Sequence, residues 1–210
     1  MQDTLHAILT FIGDHSQALL IAVLLLLAVG MVLCYLFDRR RLTARDIAIM
    51  GVLVALNVVL GQLVAITIIP KLLILSLGFV PIALAGMLFG PAPAATVAVI
   101  GDILGALLFP QGEFYFGYTL TAFLTGLFYG LFLHKRELSI LRVALCQLLV
   151  SVVCYAILNS LWMLNWVSAD SAVGYITPRL LVQPITYVIY LIVLLLMRRY
   201  RKTIEGALKI

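Results

Sequence analysis

The stretch SQALLIAVLLLLAVGMVLCYLFDRRR, residues 16–41, establishes the fold class. From Ser16 to Phe37 it carries no charged residue. A helix of that length rises about 33 Å, enough to cross the hydrocarbon core of a bilayer. A helix also satisfies its own backbone polar groups, which lipid cannot do. Asp38 and the arginines Arg39, Arg40 and Arg41 then end the run in water.

Beyond this stretch the same pattern recurs six times. Apolar runs fall at about 43–68, 72–89, 94–109, 115–133, 143–164 and 177–197. Pro70 with Lys71, then Gly90-Pro91-Ala92-Pro93, then Pro110 to Glu113 are expected as tight turns, and Pro81 as a kink inside the third span. Thr177-Pro178 reads as the N-cap and first turn of the last span. The composition agrees: 64% hydrophobic and 11% charged, with a mean hydropathy of +1.18. A soluble domain does not have that balance. The first run lacks the basic flank and small-residue site of a cleaved leader, so it is expected to stay as a span.

Charge placement orients the chain. Of its 14 Lys and Arg residues, all but two fall in segments that threading puts on one face. These are Arg39, Arg40, Arg41 and Arg45; Lys135, Arg136 and Arg142; and Arg198, Arg199, Arg201, Lys202 and Lys209. The positive-inside bias makes that face cytoplasmic, with the N-terminus outside and the C-terminus inside. Lys71 and Arg179 remain for the outer face, as candidates for holding an anionic ligand. The net charge of +5 is explained by topology and lipid headgroups, so nucleic acid is not expected as a partner.

Several chemistries find no residues. Cys34, Cys146 and Cys154 all lie in apolar runs, and the last two are too far apart along a helix to bridge. The three histidines have no metal-ligand spacing. No phosphate-binding G-x-x-x-x-G-K-[ST] is present, so ATP chemistry would belong to another chain. No paired acids or Ser-His or Cys-His pairs fall inside spans, so an intramembrane enzyme is disfavoured.

Four constellations remain. Ala44, Ala48, Gly51 and Ala55 share one helical face, suited to close packing inside the bundle or to docking a partner subunit. Asn57 points the other way. Ala122, Gly126 and Gly130 form a second ridge, better explained by internal packing. Arg179, Gln183, Tyr187 and Tyr190 form a polar stripe in the last span, answered by Tyr155, Asn159, Trp162 and Trp166 in the sixth. Interfacial belts explain the aromatics, but buried amides need partners. Together the stripes are expected to line a pocket open to the outside. Asp102, mid-span, is either a hydrogen-bonded structural acid or a ligand contact; a proton relay would need companions that other spans lack. The segment Glu113 to Tyr118 is rich in aromatics, suited to a membrane belt or to stacking a flat ligand.

The stretch 78–91, GFVPIALAGMLFGP, resembles the second family helix of the S components of energy-coupling-factor (ECF) vitamin transporters. The stretch 115–133, YFGYTLTAFLTGLFYGLFL, resembles the folate group of that family, as do Gly101-Asp102 and Arg179 with Pro184-Ile185. The likeness spans about residues 42–200. It implies an all-α integral membrane protein: a six-helix S-component bundle at 42–200, an extra N-terminal helix and basic linker at 1–41, and a cytoplasmic tail at 201–210. It further implies a substrate-binding subunit of a bacterial importer, with no cofactor, that takes folate from outside and works with a T component and two ATPases. Arg179 and Lys71 would then meet the folate carboxylates. Asp102 or Asn57 would accept from the pterin. Tyr118, Asn159, Trp162 and Gln183 would complete the lining. The stripe Ala44, Ala48, Gly51 and Ala55 would dock the T component. Another vitamin such as pantothenate, or a self-contained carrier, is the alternative.

Overall fold

The structure, a computed structural model, describes residues 16–38, 42–64, 66–69, 73–110, 114–134, 138–164 and 169–208. Helix α1 (Ser16–Phe37) has the bounds of the apolar run. Helix α2 (Ala44–Val58) opens on a capping box. The Thr43 side chain accepts from the Asp46 N–H at 3.2 Å, and the Asp46 carboxylate accepts from the Thr43 N–H at 3.0 Å. The helix then widens into a π turn, Val59–Leu63.

Beyond the π turn the chain departs from the expected spans. Strands β1 (Ile66–Ile69) and β2 (Leu73–Leu75) pair antiparallel, with Ile66 opposite Leu75 and Thr67 opposite Ile74. Residues expected in the second and third spans therefore form a small hairpin. The cause is local: a β-branched run stands before Pro70, and a proline biases the preceding residue to extended backbone. The fold class is unchanged, since every other described element is helical.

Helix α3 (Phe79–Phe89) is consequently shorter than the third span. Pro81 sits in its first turn, where an N–H would lack a helical partner anyway, so no kink is required. Gly90, with φ of 104°, makes the turn into α4 (Pro91–Leu108). The expected turn at residues 91–93 is helical instead, because proline is pre-set for a first helical turn. Helix α5 spans Phe116–Leu133. The next crossing runs from Ile140 to Met163 as α6 (Ile140–Leu149), a π segment (Val150–Leu158) and α7 (Asn159–Met163). Helix α8 (Ala169–Leu208) holds Pro178 and Pro184 in its interior. Thr177 is thus not an N-cap. Each proline deletes a single backbone donor, and so long a helix keeps its remaining bonds. Helix α8 also continues through 201–208, the residues read from the sequence as the start of the cytoplasmic tail.

Among the described residues, six helical segments are long and apolar enough to cross a membrane, and Phe79–Phe89 is a shorter apolar helix. Helix α4 is the packing centre: Ala92, Ala94 and Ala95 are fully buried. On α5, Gly126 and Gly130 lie against the backbones of Ala94, Ala95 and Pro91. A Cβ on Gly126 would stand 2.6 Å from the Ala94 carbonyl oxygen. The ridge Ala122-Gly126-Gly130 is therefore internal packing. Lipid offers no hydrophobic drive between helices, so close approach supplies the contact energy.

The stripe on α2 behaves oppositely. Ala44, Ala48, Gly51 and Ala55 are all exposed, and nothing lies within 4 Å of a Cβ built on Gly51. Helix α1 leans on α4 and α5 through Val23, which is buried with Ala95, Val99, Leu120 and Phe123. The Tyr35 hydroxyl meets the Thr96 hydroxyl at 2.8 Å.

Candidate functional site

A cavity of about 410 Å³ opens inside the bundle. Its wall comes from the end of α2 and its π turn, the Ser76–Gly78 link, α3, the outer half of α4, the start of α5, Tyr155, Asn159 and the first half of α8. All of these lie toward one end of the bundle, away from the ends that carry the basic residues. The volume falls in the usual range for small-molecule sites, about 300–1,000 Å³.

Close helix packing positions each wall. Asn57 stands over Gly101, which has no Cβ to exclude it, and donates to the Gly78 carbonyl at 2.6 Å. Gly105 makes the same allowance for Gln62. Asp102, one residue on from Gly101, accepts from the Thr119 hydroxyl at 2.7 Å. Ser76 ties the hairpin stem to the π turn through the Gly61 carbonyl at 3.3 Å. Its N–H donates to the Tyr190 hydroxyl at 3.4 Å. Tyr190 stacks on Phe79 with ring centroids 4.2 Å apart and meets Tyr155 edge-on at 6.3 Å. An aromatic floor of this kind suits a flat ring.

The π segment has a geometric consequence here. Four α-helical residues overshoot one turn by about 40°, so a polar row at spacing four drifts around a helix. The wider π turn absorbs that drift. Gln147, Ser151, Tyr155 and Asn159 thereby stay directed inward, with the first two buried and the last two on the cavity.

Six of the eight sequence-selected ligand residues line this cavity: Asn57, Asp102, Tyr118, Asn159, Arg179 and Gln183. Lys71 lies outside the described residues. Trp162 sits one layer behind the wall, near Tyr115 with centroids 5.7 Å apart, and its indole N–H donates to Thr121 at 2.9 Å. Tyr187 points elsewhere, toward the Ala144 carbonyl at 3.4 Å. Trp166 lies outside the described residues. The sequence reading passed over Thr121 and Thr125. Their spacing from Tyr118, three and then four residues, is the polar stripe that could have found them.

Two features leave hydrogen-bonding capacity for a ligand. The Asn159 side-chain oxygen is buried with no partner among the described residues. Arg179 touches Met163 Sδ at 3.9 Å, and no ion pair joins it to Asp102 or to another described carboxylate. A guanidinium inside a span without a counter-charge is costly unless something anionic meets it.

Membrane-crossing helices around a one-ended polar cavity define a membrane-embedded solute-binding protein. More specifically, the chain belongs to the S-component family of ECF-type transporters. The family described as "ECF-type riboflavin transporter, S component" matches residues 41–202, so α1 precedes the matched region. A protein named Folate transporter FolT from Clostridium novyi is 30% identical over 69% of this chain and 83% of its own length. Another of that name from Leuconostoc mesenteroides is 32% identical over 67% of this chain and 77% of its own. A solved structure described as the crystal structure of FolT bound with folic acid superposes with a TM-score of 0.65 at 37% identity. That match covers 72% of this chain and 90% of the solved one. This protein is thus a multi-pass transporter component rather than an enzyme.

Proposed function

We propose that this chain is the folate-binding subunit of an ATP-driven ECF importer, taking folate from outside the cell. The observation that carries the reading is one cavity lined by both Arg179 and Asp102, with neither paired to the other. Folate joins an acidic glutamate tail to a flat pterin bearing N–H donors. Arg179 suits the carboxylates, which a guanidinium can grip with two parallel bonds. Lys71 is assigned to the same tail. Asp102 and the Asn57 oxygen suit the pterin edge, and Tyr118, Asn159 and Gln183 complete the lining. Trp162 acts from behind Thr121.

The family description and the relatives' names differ in vitamin, and the cavity favours the relatives. Riboflavin is uncharged and would leave Arg179 without a counter-ion. Pantothenate is anionic but has no ring for the Phe79–Tyr190 floor.

The outward face of Ala44, Ala48, Gly51 and Ala55 is assigned to a membrane T component, since internal packing does not use it. ATP hydrolysis falls to two partner ATPases, because the chain has no phosphate-binding loop. The basic ends face the cytoplasm, which directs the cavity outward. The test is titration of the purified, detergent-solubilised chain with folate, following tryptophan fluorescence. Tight, saturable quenching that neither riboflavin nor pantothenate displaces is expected. A flat titration, after co-purified ligand is removed, would overturn the assignment.

A further inference from the structure

The hydrogen bonds of the cavity wall run in one direction. The Thr121 hydroxyl donates to the Gly117 carbonyl at 3.2 Å, and the Thr125 hydroxyl to the Thr121 carbonyl at 2.9 Å. The Thr186 hydroxyl donates to the Gln183 carbonyl at 2.8 Å. Asn57 and Gln183 also turn amide N–H groups onto carbonyls, of Gly78 at 2.6 Å and Ser151 at 3.5 Å. A carbonyl partner requires the amide nitrogen on that side, which leaves the amide oxygens elsewhere.

A hydroxyl has a single O–H to give and two lone pairs to receive with. Three threonines on this wall have spent their only donor inside the protein. Thr121 also accepts from the Trp162 indole at 2.9 Å, so a single lone pair remains to it. Back-bonding of threonine to an earlier carbonyl is common in helices and needs no ligand to explain it. Its consequence at a cavity wall is still chemical: these positions accept and cannot donate. Arg179 is a pure donor, the phenols of Tyr118 and Tyr190 can turn either way, and the Thr125 hydroxyl meets Cys154 and Tyr155 within the protein.

We infer that the cavity selects its ligand by the ligand's N–H groups, with the spent hydroxyls of Thr121 and Thr186 as specificity-determining acceptors. This deepens the folate reading and rests on it for the choice of ring. A 2-amino-4-oxopteridine presents N–H donors along one edge. A 2,4-dioxopteridine has nearly the same outline but carries a carbonyl where the amino group stood, its extra N–H now at N1, so an acceptor placed for the amino group meets another acceptor. A buried polar group left unpaired in this way is rejected far more strongly than a misfit in size.

The experiment uses the full chain in detergent and equilibrium dialysis against folate. Pterin-6-carboxylate and lumazine-6-carboxylate compete, at a pH where both rings are neutral. The pterin should bind at least about tenfold more tightly. Thr121→Val, which deletes the acceptor at nearly constant volume, should weaken the pterin and narrow that ratio at least about threefold. Thr121→Ser, which keeps the oxygen, should restore it. A purely structural role for Thr121 would weaken both rings alike and leave the ratio unchanged. Because Thr121→Val also strips Trp162 of this acceptor, Thr186→Val is the second variant, with the same narrowing expected. Equal affinity for the two rings overturns the inference, and so does an unaltered ratio in both valine variants. Failure of folate itself to bind, seen before any competitor is added, overturns the folate reading instead; direct titration of the two rings then still tests the wall.

Discussion

Arg179 enters the cavity wall from the first turns of α8, and its guanidinium donates to a thioether, the Met163 sulfur. If it holds folate's carboxylates, Arg179→Ala should weaken folate binding by at least about 1.5 kcal/mol, roughly tenfold. Arg179→Lys should recover only part, because an ammonium lacks the planar fork. Calorimetry on both variants checks this, and unchanged affinity in the alanine variant would remove Arg179 from the site. Arg179 and Asp102 were legible in the sequence because charges inside spans are costly and therefore rare. Thr119 and Thr121 were not. Threonine is tolerated almost anywhere in a helix, and its role depends on the group it meets across space: Asp102 in one case, Trp162 in the other.

Elements pack here by what their glycines allow. On α5, a Cβ at Gly130 would collide with the backbone of Pro91. Gly130→Ala should therefore cost about 1–3 kcal/mol of stability, as overpacking does, and lower the unfolding midpoint in detergent. Gly51 on α2 is the opposite case, with open space around it. Gly51→Leu should leave both the unfolding midpoint and folate affinity unchanged. In cells that also carry the T component and ATPases, it should abolish folate uptake, because a bulky side chain blocks a close helix–helix approach. Normal uptake by that variant would move the docking face elsewhere. Spans were readable from hydropathy, and α1 and α5 agree with expectation almost to the residue. The strand pair at Ile66–Ile69 and Leu73–Leu75 and the two π segments were not read. Each is an interruption of a continuous apolar run, and hydropathy is blind to which backbone bonds an apolar residue makes. The β-branched run before Pro70 was the available local signal for the hairpin. The π segments carry no comparable one.

In the molecule as a whole the cavity lies toward the end opposite the basic residues, and the sequence carries no G-x-x-x-x-G-K-[ST]. Reconstituted alone in liposomes, the protein should bind folate yet accumulate none; uptake should require the T component and ATPases with ATP. Accumulation by the chain alone would favour a self-contained carrier. The class of protein and six of its seven expected spans could be read from the amino acids without coordinates. They depend on transfer of single residues between water and lipid, a property each residue carries wherever it folds. Which polar groups face one another was a matter for the folded bundle alone. It placed Asn57 over Gly101 and Thr119 on Asp102, and it left the α2 stripe uncovered while burying the one on α5. Those outcomes depend on which helices become neighbours and how closely, and that is set jointly by small residues in separate helices rather than by any one stretch of chain.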